Sequence, residues 1–112
     1  MREDAQRLRD ILEAITRIEK YAARGREAFE SDELIQNWIV NHLQIIGEAC
    51  RSMTEQLRDR NPQIPWDQII GMRHILVHQY FGIDTDIVWS VVQDDLAELR
   101  HNVEQLLAAS GS

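Results

Sequence analysis

The sequence predicts an all-α protein, folded as an antiparallel up-and-down bundle of four to five helices with short loops. Hydrophobic residues recur at three- and four-residue spacing along most of the chain, without alternating strand patterns or internal repeats. Helix breakers are few, since the chain has five glycines and two prolines, and both prolines lie in one short segment. At 112 residues the chain has the size of one domain. We expect this helical domain to span residues 1–109, with residues 110–112 as a frayed tail.

Two long helices are predicted in the first half of the chain. The first runs from residue 4 to about residue 23, where Arg24-Gly25-Arg26 ends it. Ser31 and Asp32 can cap a second helix that continues to about Arg58. The second helix has a broad hydrophobic face and should pack against more than one neighbour. This face consists of Leu34, Ile35, Trp38, Ile39, Leu43, Ile45, Ile46, Ala49, Cys50, Met53 and Leu57.

The second half of the chain contains a connector and two further helices. Residues 59–65 cannot continue a helix, because their two prolines remove backbone donors and restrict the residues before them. A third helix is predicted from Trp66 to about Tyr80, with an interruption near Phe81-Gly82. A fourth helix, capped by Asp84 or Thr85, should continue to about residue 108.

Composition limits the classes of function. Twelve basic and nineteen acidic residues give a net charge of -7, which argues against a protein that coats nucleic acid. Cys50 is the single cysteine, so no intrachain disulfide can form, and Met1 is followed by charged residues instead of the hydrophobic core of a signal peptide. No hydrophobic run approaches the roughly 20 residues that span a bilayer. We therefore expect a soluble, cytoplasmic protein without a membrane partner.

Arg73 occupies an unusual position on the third helix. At 100° per residue, it falls in the middle of a hydrophobic arc of about 140°. A guanidinium among core residues costs free energy unless it is paired or faces a wet cavity. Asp67, His74 and His78 form a separate polar flank. The hydrophobic arc contains Trp66, Ile69, Ile70, Leu76, Val77, Tyr80 and Phe81.

Arg73 and His78 lie about 140° apart on an ideal helix, so they can serve one site in three ways. Arg73 can reach round the helix, the helix can distort near Gly82, or two chains can pool their residues. The third alternative predicts a homodimer with a composite cleft.

The segment Arg73-His74-Ile75-Leu76-Val77-His78 resembles the motif of the HEPN superfamily (higher eukaryotes and prokaryotes nucleotide-binding domains), in which an arginine and a polar residue precede a histidine. With Gln79-Tyr80 it resembles the longer arginine-to-tyrosine form of HepT toxins. Residues 43–49 and 66–72 are similar to the stretches that these proteins carry on the second helix and before the motif, and the sequence after the motif, Ile83-Asp84 and Val88-Trp89, is also similar. The resemblance covers residues 5–108 and implies a HEPN-like bundle.

The resemblance implies RNA cleavage without a metal or other cofactor. The ribose 2′-hydroxyl would be the nucleophile, which restricts the substrate to RNA. His78 would transfer protons, since an unperturbed histidine has a pKa near ~6.5, and Arg73 would offer donors to the phosphoryl oxygens. Arg73 and His78 are therefore the predicted catalytic residues. His74 is expected to support the polarity of the site, and Glu48 to orient Arg73.

The same resemblance implies a covalent mode of regulation. HepT toxins are paired with MntA antitoxins, minimal nucleotidyltransferases that attach AMP to the motif tyrosine. Carried over to this chain, Tyr80 is the AMPylated residue and an MntA-like nucleotidyltransferase is the expected partner. A seven-residue spacing places Tyr80 on the same helical face as Arg73, so the added phosphate and adenosine would block the site.

Each candidate residue also has a structural interpretation. Arg73 can form an ion pair with Glu48, and His78 can be a solvated histidine near the end of a helix. His42 lies in the middle of a hydrophobic arc and is interpreted as a core histidine, and Cys50 as a packing residue. Trp38, Trp66 and Trp89 fit core or interface packing better than base stacking.

Two other functions compete with the ribonuclease. One is a noncatalytic helical bundle that binds a nucleotide or serves as the adaptor of a nucleotidyltransferase. The other is a metal-binding bundle, because His74 and His78 are four residues apart with Asp67 on the same flank. The metal site is the weaker hypothesis, since no full ligand set is evident in the sequence.

Overall fold

The structure, a computed structural model, describes residues 2–78 and 82–109, and for Arg2, Arg73, Ile75 and His78 it describes the backbone alone. The predicted all-α class is confirmed, since helices form most of this part of the chain. A two-residue antiparallel pair of strands supplements them. In chain order the elements are α1 (Arg2–Ala22), α2 (Arg26–Ser31), α3 (Glu33–Arg51), α4 (Glu55–Arg60), α5 (Trp66–Ile70), α6 (Arg73–Leu76), β1 (Val77–His78), β2 (Gly82–Ile83), α7 (Thr85–Asp94) and α8 (Leu96–Ala109).

The core lies between α1, α3 and α8. Trp38, near the start of α3, donates its indole N–H to the carbonyl of Arg17, near the end of α1, so the two helices run antiparallel. Arg100, near the start of α8, hydrogen-bonds to Thr16 near the end of α1, so α8 is also antiparallel to α1. Helices α2 and α7 add Phe29 and Val88 to this core. The large side chains that are almost completely buried in it include Leu8, Ile11, Ile15, Ile18, Phe29, Ile39, Leu43, Ile46, Val88 and Val103.

The predicted second helix is divided in two. We expected it to continue to Arg58, but α3 ends at Arg51 and α4 begins at Glu55. Asp4, buried at the start of α1, accepts hydrogen bonds from the backbone N–H of Thr54 at 2.9 Å and from its hydroxyl at 2.6 Å. The Thr54 hydroxyl oxygen in turn accepts from the N–H of Leu57 and caps α4. A carboxylate from another helix thus holds the break.

The prediction of one continuous third helix was wrong. The helix stops at Ile70, resumes at Arg73 as α6 and ends at Leu76, after which Val77–His78 form a strand. This strand pairs with Gly82–Ile83. Gly82 adopts φ 75°, a conformation that a glycine accepts without steric cost. The rest of the predicted helix, Gln79 and Tyr80, and the interruption predicted at Phe81 lie outside the described residues.

The other helix boundaries agree more closely with the sequence. The fourth predicted helix begins at Thr85, with Asp84 as its cap, but Asp95 separates it into α7 and α8. The N–H of Asp95 donates to the carbonyl of Val91, and its carbonyl accepts from the N–H of Leu99, so helical hydrogen bonding continues on both sides. The short helix α2 was not predicted; it buries Phe29 against the core. The predicted tail, 110–112, lies outside the described residues.

Gly47 permits a close approach between α3 and α5. A Cβ atom at this position would lie 3.1 Å from the carbonyl oxygen of Ile69, closer than most side chains approach a backbone oxygen. Because that oxygen belongs to the backbone of α5, a larger residue at position 47 must push the segment that leads into Arg73 away from α3.

We expect Gly47→Val to lower the free energy of unfolding by about 1–3 kcal/mol through overpacking, measured by urea denaturation. Asn41→Val is the matched control, because Asn41 is an exposed residue of the same helix. The control should change the free energy of unfolding by no more than about 0.5 kcal/mol. Equal stability of Gly47→Val and the original protein would contradict the close packing of α3 and α5.

Candidate active site

The predicted motif lies on the short segment between α5 and α7. Arg73 is the first residue of α6, Leu76 is its last and is fully buried, and His78 belongs to β1. The helix α6 packs against both α3 and α7. The side chains of Arg73 and His78, and the whole of Tyr80, lie outside the described part of the chain, so their roles stay predictions.

The change from helix to strand alters the geometry predicted for the motif. The angle of about 140° between Arg73 and His78 assumed an ideal helix, and α6 ends at Leu76, before His78. The backbone does depart from an ideal helix, but at Leu76 and not near Gly82, and the way in which Arg73 and His78 could serve one site stays a prediction. A seven-residue spacing places Tyr80 on the face of Arg73 only along a continuous helix, and α6 ends at Leu76.

Backbone hydrogen bonds fix this segment to the start of α7. In the strand pair, Val77 lies opposite Ile83 and His78 lies opposite Gly82. The N–H of Asp84 donates to the carbonyl of Leu76 at 2.7 Å. This bond joins the end of α6 to the residue that caps α7. Residues 82–84, which follow the motif, therefore hold its second half in place through their backbone.

The carboxylate of Asp84 serves as the cap of α7. It accepts a hydrogen bond from the N–H of Ile87 at 3.2 Å, which satisfies a backbone donor in the first turn of that helix. Sequence analysis identified Asp84 as a possible cap, but the contact of its backbone with α6 depends on the strand pair and has no local sequence signal.

His74 and Asp67 lie on the solvent-exposed side of the motif segment. Both side chains are exposed, in agreement with the polar flank predicted for them. Among the side chains that the structure describes, no group of three or more His, Cys, Asp or Glu is arranged to hold a metal ion. The metal site predicted from His74, His78 and Asp67 depends on His78, whose side chain lies outside the described part of the structure.

Glu48 is exposed and faces the groove between α1 and α3. This groove encloses about 650 Å³. Its neighbour Gly47 faces α5, and consecutive helical residues point about 100° apart. The role of Glu48 beside Arg73 stays a prediction. The groove is lined by Arg7, Asp10, Glu13, Ala14, Arg17, Asn41, His42, Gln44, Ile45, Glu48, Ala49 and Ser52.

His42 is a core histidine, as predicted. It is buried, and its Nδ1 lies 2.7 Å from the carbonyl oxygen of Trp38. Because a carbonyl oxygen can only accept, Nδ1 carries the proton and donates it. Its ring also packs against the Trp38 ring with the centroids 4.5 Å apart. Trp66 and Trp89 are buried in the core, in agreement with the packing role predicted for the tryptophans.

Cys50 is buried in α3, and burial raises the pKa of its thiol from 9.0 to about 12, although the nearby charge of Arg58 opposes the shift.

We expect the Cys50 thiol not to react with a disulfide reagent at pH 8 in the folded protein, and to react fully when the protein is unfolded in guanidinium. Between pH 9 and about 12 the unfolded chain loses the thiol proton before the folded one, so stability should fall as pH rises. Rapid labelling of the folded protein would contradict this burial; Cys50→Ala provides the blank.

A hydrophobic cleft of about 510 Å³ lies beside the motif segment, and it was not predicted. Its walls come from α3, the connector, α5, α6, α7 and α8, so no local pattern could indicate it. Hydrophobic side chains form the floor and polar ones the rim. The lining residues are Leu43, Ile46, Gln63, Pro65, Gln68, Ile69, Met72, Leu76, Ile87, Val91, Asp95, Leu96, Glu98, Leu99 and Asn102.

Negative charge collects on one rim of this cleft. Partial burial raises the pKa of the Asp95 carboxyl, and the neighbouring charges of Asp94 and Glu98 raise it further. None of the described residues that line the cleft is basic.

Comparison with known proteins places these observations in a family. The chain matches the sequence profile of HepT-like ribonucleases over residues 11–106. A protein of Thermococcus cleftensis, provisionally named a ribonuclease HepT, is 36% identical over 100 residues, 88% of this chain and 91% of that protein. A provisionally named RNase of Methanocaldococcus jannaschii is 34% identical over 98 residues, 87% and 90% of the two chains. Another, from Caldanaerobacter subterraneus, is 33% identical over 90 residues, 80% of each chain.

No solved structure matches the chain significantly. The described helices include none that is both long and hydrophobic enough to cross a membrane.

Proposed function

The chain belongs to the HepT-like ribonuclease family, and from that premise we propose that it is a metal-independent endoribonuclease with Arg73 and His78 as its catalytic residues. The observation that carries the proposal is the match over residues 11–106, which contains the whole Arg73-to-Tyr80 motif. The position of the motif supports it, because a short, bent segment fixed between α3 and α7 can present two polar residues without the constraint of one straight helix.

The chemistry proposed is internal transesterification. The 2′-hydroxyl oxygen attacks the adjacent phosphorus, the bond from phosphorus to the 5′-oxygen breaks, and a 2′,3′-cyclic phosphate forms. His78 removes the proton of the 2′-hydroxyl or supplies one to the leaving oxygen. Arg73 keeps its positive charge and donates hydrogen bonds to the phosphoryl oxygens as negative charge increases there. His74, which is exposed beside Arg73, keeps the site polar and hydrated.

The test is cleavage of single-stranded RNA by the purified protein in EDTA. We expect cyclic-phosphate ends and no cleavage of an all-DNA strand of the same sequence, because DNA lacks the nucleophile. Cleavage of both strands, or cleavage that EDTA abolishes, would contradict the mechanism. Nucleotide binding without RNA cleavage would instead support the noncatalytic or adaptor bundle.

We propose in addition that the protein is a homodimer with a composite cleft. Ile69 and Met72 belong to the segment that leads into the motif, and their half-buried side chains line the hydrophobic cleft. A second subunit can therefore bury hydrophobic area there. A composite site would take Arg73 from one subunit and His78 from the other.

A mixture of the Arg73→Ala and His78→Ala proteins tests the composite site. Each mixed dimer would contain one intact site, because one subunit keeps its arginine and the other its histidine. Since about half of the dimers are mixed, roughly a quarter of the original activity should return after subunit exchange. No recovery, together with a dimeric mass by light scattering, would mean that each subunit forms its own site.

We propose finally that the ribonuclease is the toxin of a toxin–antitoxin pair. Its partner would be an MntA-like nucleotidyltransferase that transfers AMP to Tyr80. This assignment rests on the family and on the Gln79-Tyr80 sequence after His78. Attached AMP would place a phosphate next to the residues that bind the phosphate of RNA and so exclude the substrate.

A further inference from the structure

Most cations near the end of α1 are neutralised by carboxylates. Arg17 lies 2.8 Å from Glu13. Arg26, at the start of α2, lies 2.8 Å from Glu30 and also contacts Asp86, and hydrogen bonding to Glu30 is the main cause that raises its pKa. Arg100 of α8 is paired with Glu19. Such pairs leave little net charge available to a ligand.

Lys20 and Arg24 differ from these arginines. Both side chains are exposed, and among the described residues no carboxylate forms an ion pair with either. Both instead contact the ring of Tyr21, Lys20 at 5.7 Å and Arg24 at 4.9 Å from its centroid. Trp38 packs edge-on against the Tyr21 ring and fixes it in place, with the two centroids 5.2 Å apart.

An aromatic ring positions a cation without neutralising it. A cation–π contact is an electrostatic attraction to the ring, so it leaves N–H donors of lysine and arginine available for phosphate oxygens. Lys20 belongs to the last turn of α1 and Arg24 follows the end of this helix, and both contact the same Tyr21 ring. In a chain of net charge -7, two neighbouring cations that no described carboxylate neutralises form a local positive site.

This pair lies at the end of the bundle where α7 begins. Arg26, two residues after Arg24, contacts Asp86 in the first turn of α7 at 2.7 Å. Asp84, which caps α7, is joined to the end of α6 by its hydrogen bond to the carbonyl of Leu76. The first half of α1 lies toward the opposite end of the bundle, since Asp4 contacts Thr54 beyond the end of α3.

We propose that Lys20 and Arg24 bind backbone phosphates of the RNA substrate and guide the strand to the site that contains Arg73 and His78. This inference rests on the proposed ribonuclease function and names where the substrate lies. Two contacts to phosphates give affinity without base preference, so the strand is recognised by its charge.

The test is equilibrium binding of a fluorescent single-stranded 2′-O-methyl RNA, which lacks the free nucleophile and cannot be cleaved. The affinity is measured by anisotropy at several salt concentrations for the original protein and for Lys20→Gln/Arg24→Gln. We expect the double variant to bind at least about 10-fold more weakly. The plot of log K against log salt has a negative slope, which should become less steep by about 1.4 in the double variant, because each phosphate contact on a single strand contributes about 0.7.

Arg7→Gln/Arg9→Gln is the matched control. It removes the same charge from exposed arginines of the same helix, roughly 20 Å from the proposed site at 1.5 Å per residue. The control should stay within about twofold of the original affinity. Equal losses in both variants, no loss in Lys20→Gln/Arg24→Gln, or no binding by the original protein would each overturn the inference. If the binding result holds but unmodified RNA is not cleaved, the phosphate site stands and the proposed catalysis fails.

Discussion

Replacing Arg73 or His78 by alanine is expected to lower the rate of RNA cleavage by about 100-fold or more in each case. A proton-transferring side chain contributes roughly 10²–10⁴ in rate, and a donor that stabilises developing charge contributes about 10²–10³. The measurement is the single-turnover rate on a labelled RNA in EDTA, with protein in excess. Single-turnover conditions separate the chemical step from the release of products.

Matched controls distinguish loss of catalysis from loss of folding. His101→Ala removes an exposed histidine of α8, and Arg51→Ala removes an exposed arginine at the end of α3. Both should cleave at the original rate, and all four variants should keep the helical circular dichroism of the original protein. If Arg73→Ala and His78→Ala also cleave at that rate, the activity comes from a contaminant or from another site.

The double variant carries information beyond the single ones. If Arg73 and His78 act in the same transition state, removing both should cost less than the product of the single losses, because residues that act as a unit are not additive. A fully multiplicative loss would indicate two independent effects, for example a catalytic His78 and an Arg73 that maintains the fold of α6.

The parts of the fold that depend on local spacing were predictable. Leu8, Ile11, Ile15 and Ile18 repeat at three- and four-residue intervals, and all four are buried in α1 as this stripe requires. The start of α7 was predictable for a similar reason, because Asp84 is a capping residue directly before a hydrophobic stripe.

The breaks could not be predicted because they depend on distant residues. Met53 and Leu57 continue the hydrophobic spacing of α3, so the sequence favours one helix to Arg58. The break at Thr54 is held by Asp4, fifty residues away in sequence. Val77 likewise extends the pattern of the third helix, but its backbone pairs with Ile83 instead. Tertiary contacts override local helix preference in both places.

For the candidate site, the sequence identified chemical types but not their arrangement. The resemblance of the segment from Arg73 to Tyr80 to the HEPN motif implies acid–base chemistry next to a phosphate. The hydrophobic cleft depends on side chains as distant in sequence as Leu43 and Leu99, and no local pattern joins them. The contact of Lys20 and Arg24 with Tyr21 is local, but its significance appears only when the pairing of their neighbours is known.

Replacing Tyr80 by phenylalanine is expected to abolish AMPylation by an antitoxin-type nucleotidyltransferase. In this reaction the phenol oxygen attacks the α-phosphorus of ATP, pyrophosphate leaves, and the phenol proton is released. Phenylalanine has no such oxygen, so no AMP-tyrosine bond can form. The measurement is intact-protein mass spectrometry after incubation with the enzyme, ATP and Mg²⁺, followed by a cleavage assay on the treated protein.

Tyr21→Phe is the matched control, because the chain has only two tyrosines. Tyr21 is half-buried against Trp38, so its loss should leave the transfer of AMP unchanged. Treated Tyr80→Phe should keep its RNA cleavage, whereas treated original protein should lose it to the extent that Arg73→Ala does, since the attached phosphate occupies the charge that binds the phosphate of RNA and alanine removes that charge. Transfer of AMP to Tyr80→Phe at the original rate would place the modification on another residue and leave the proposed blockade without a mechanism.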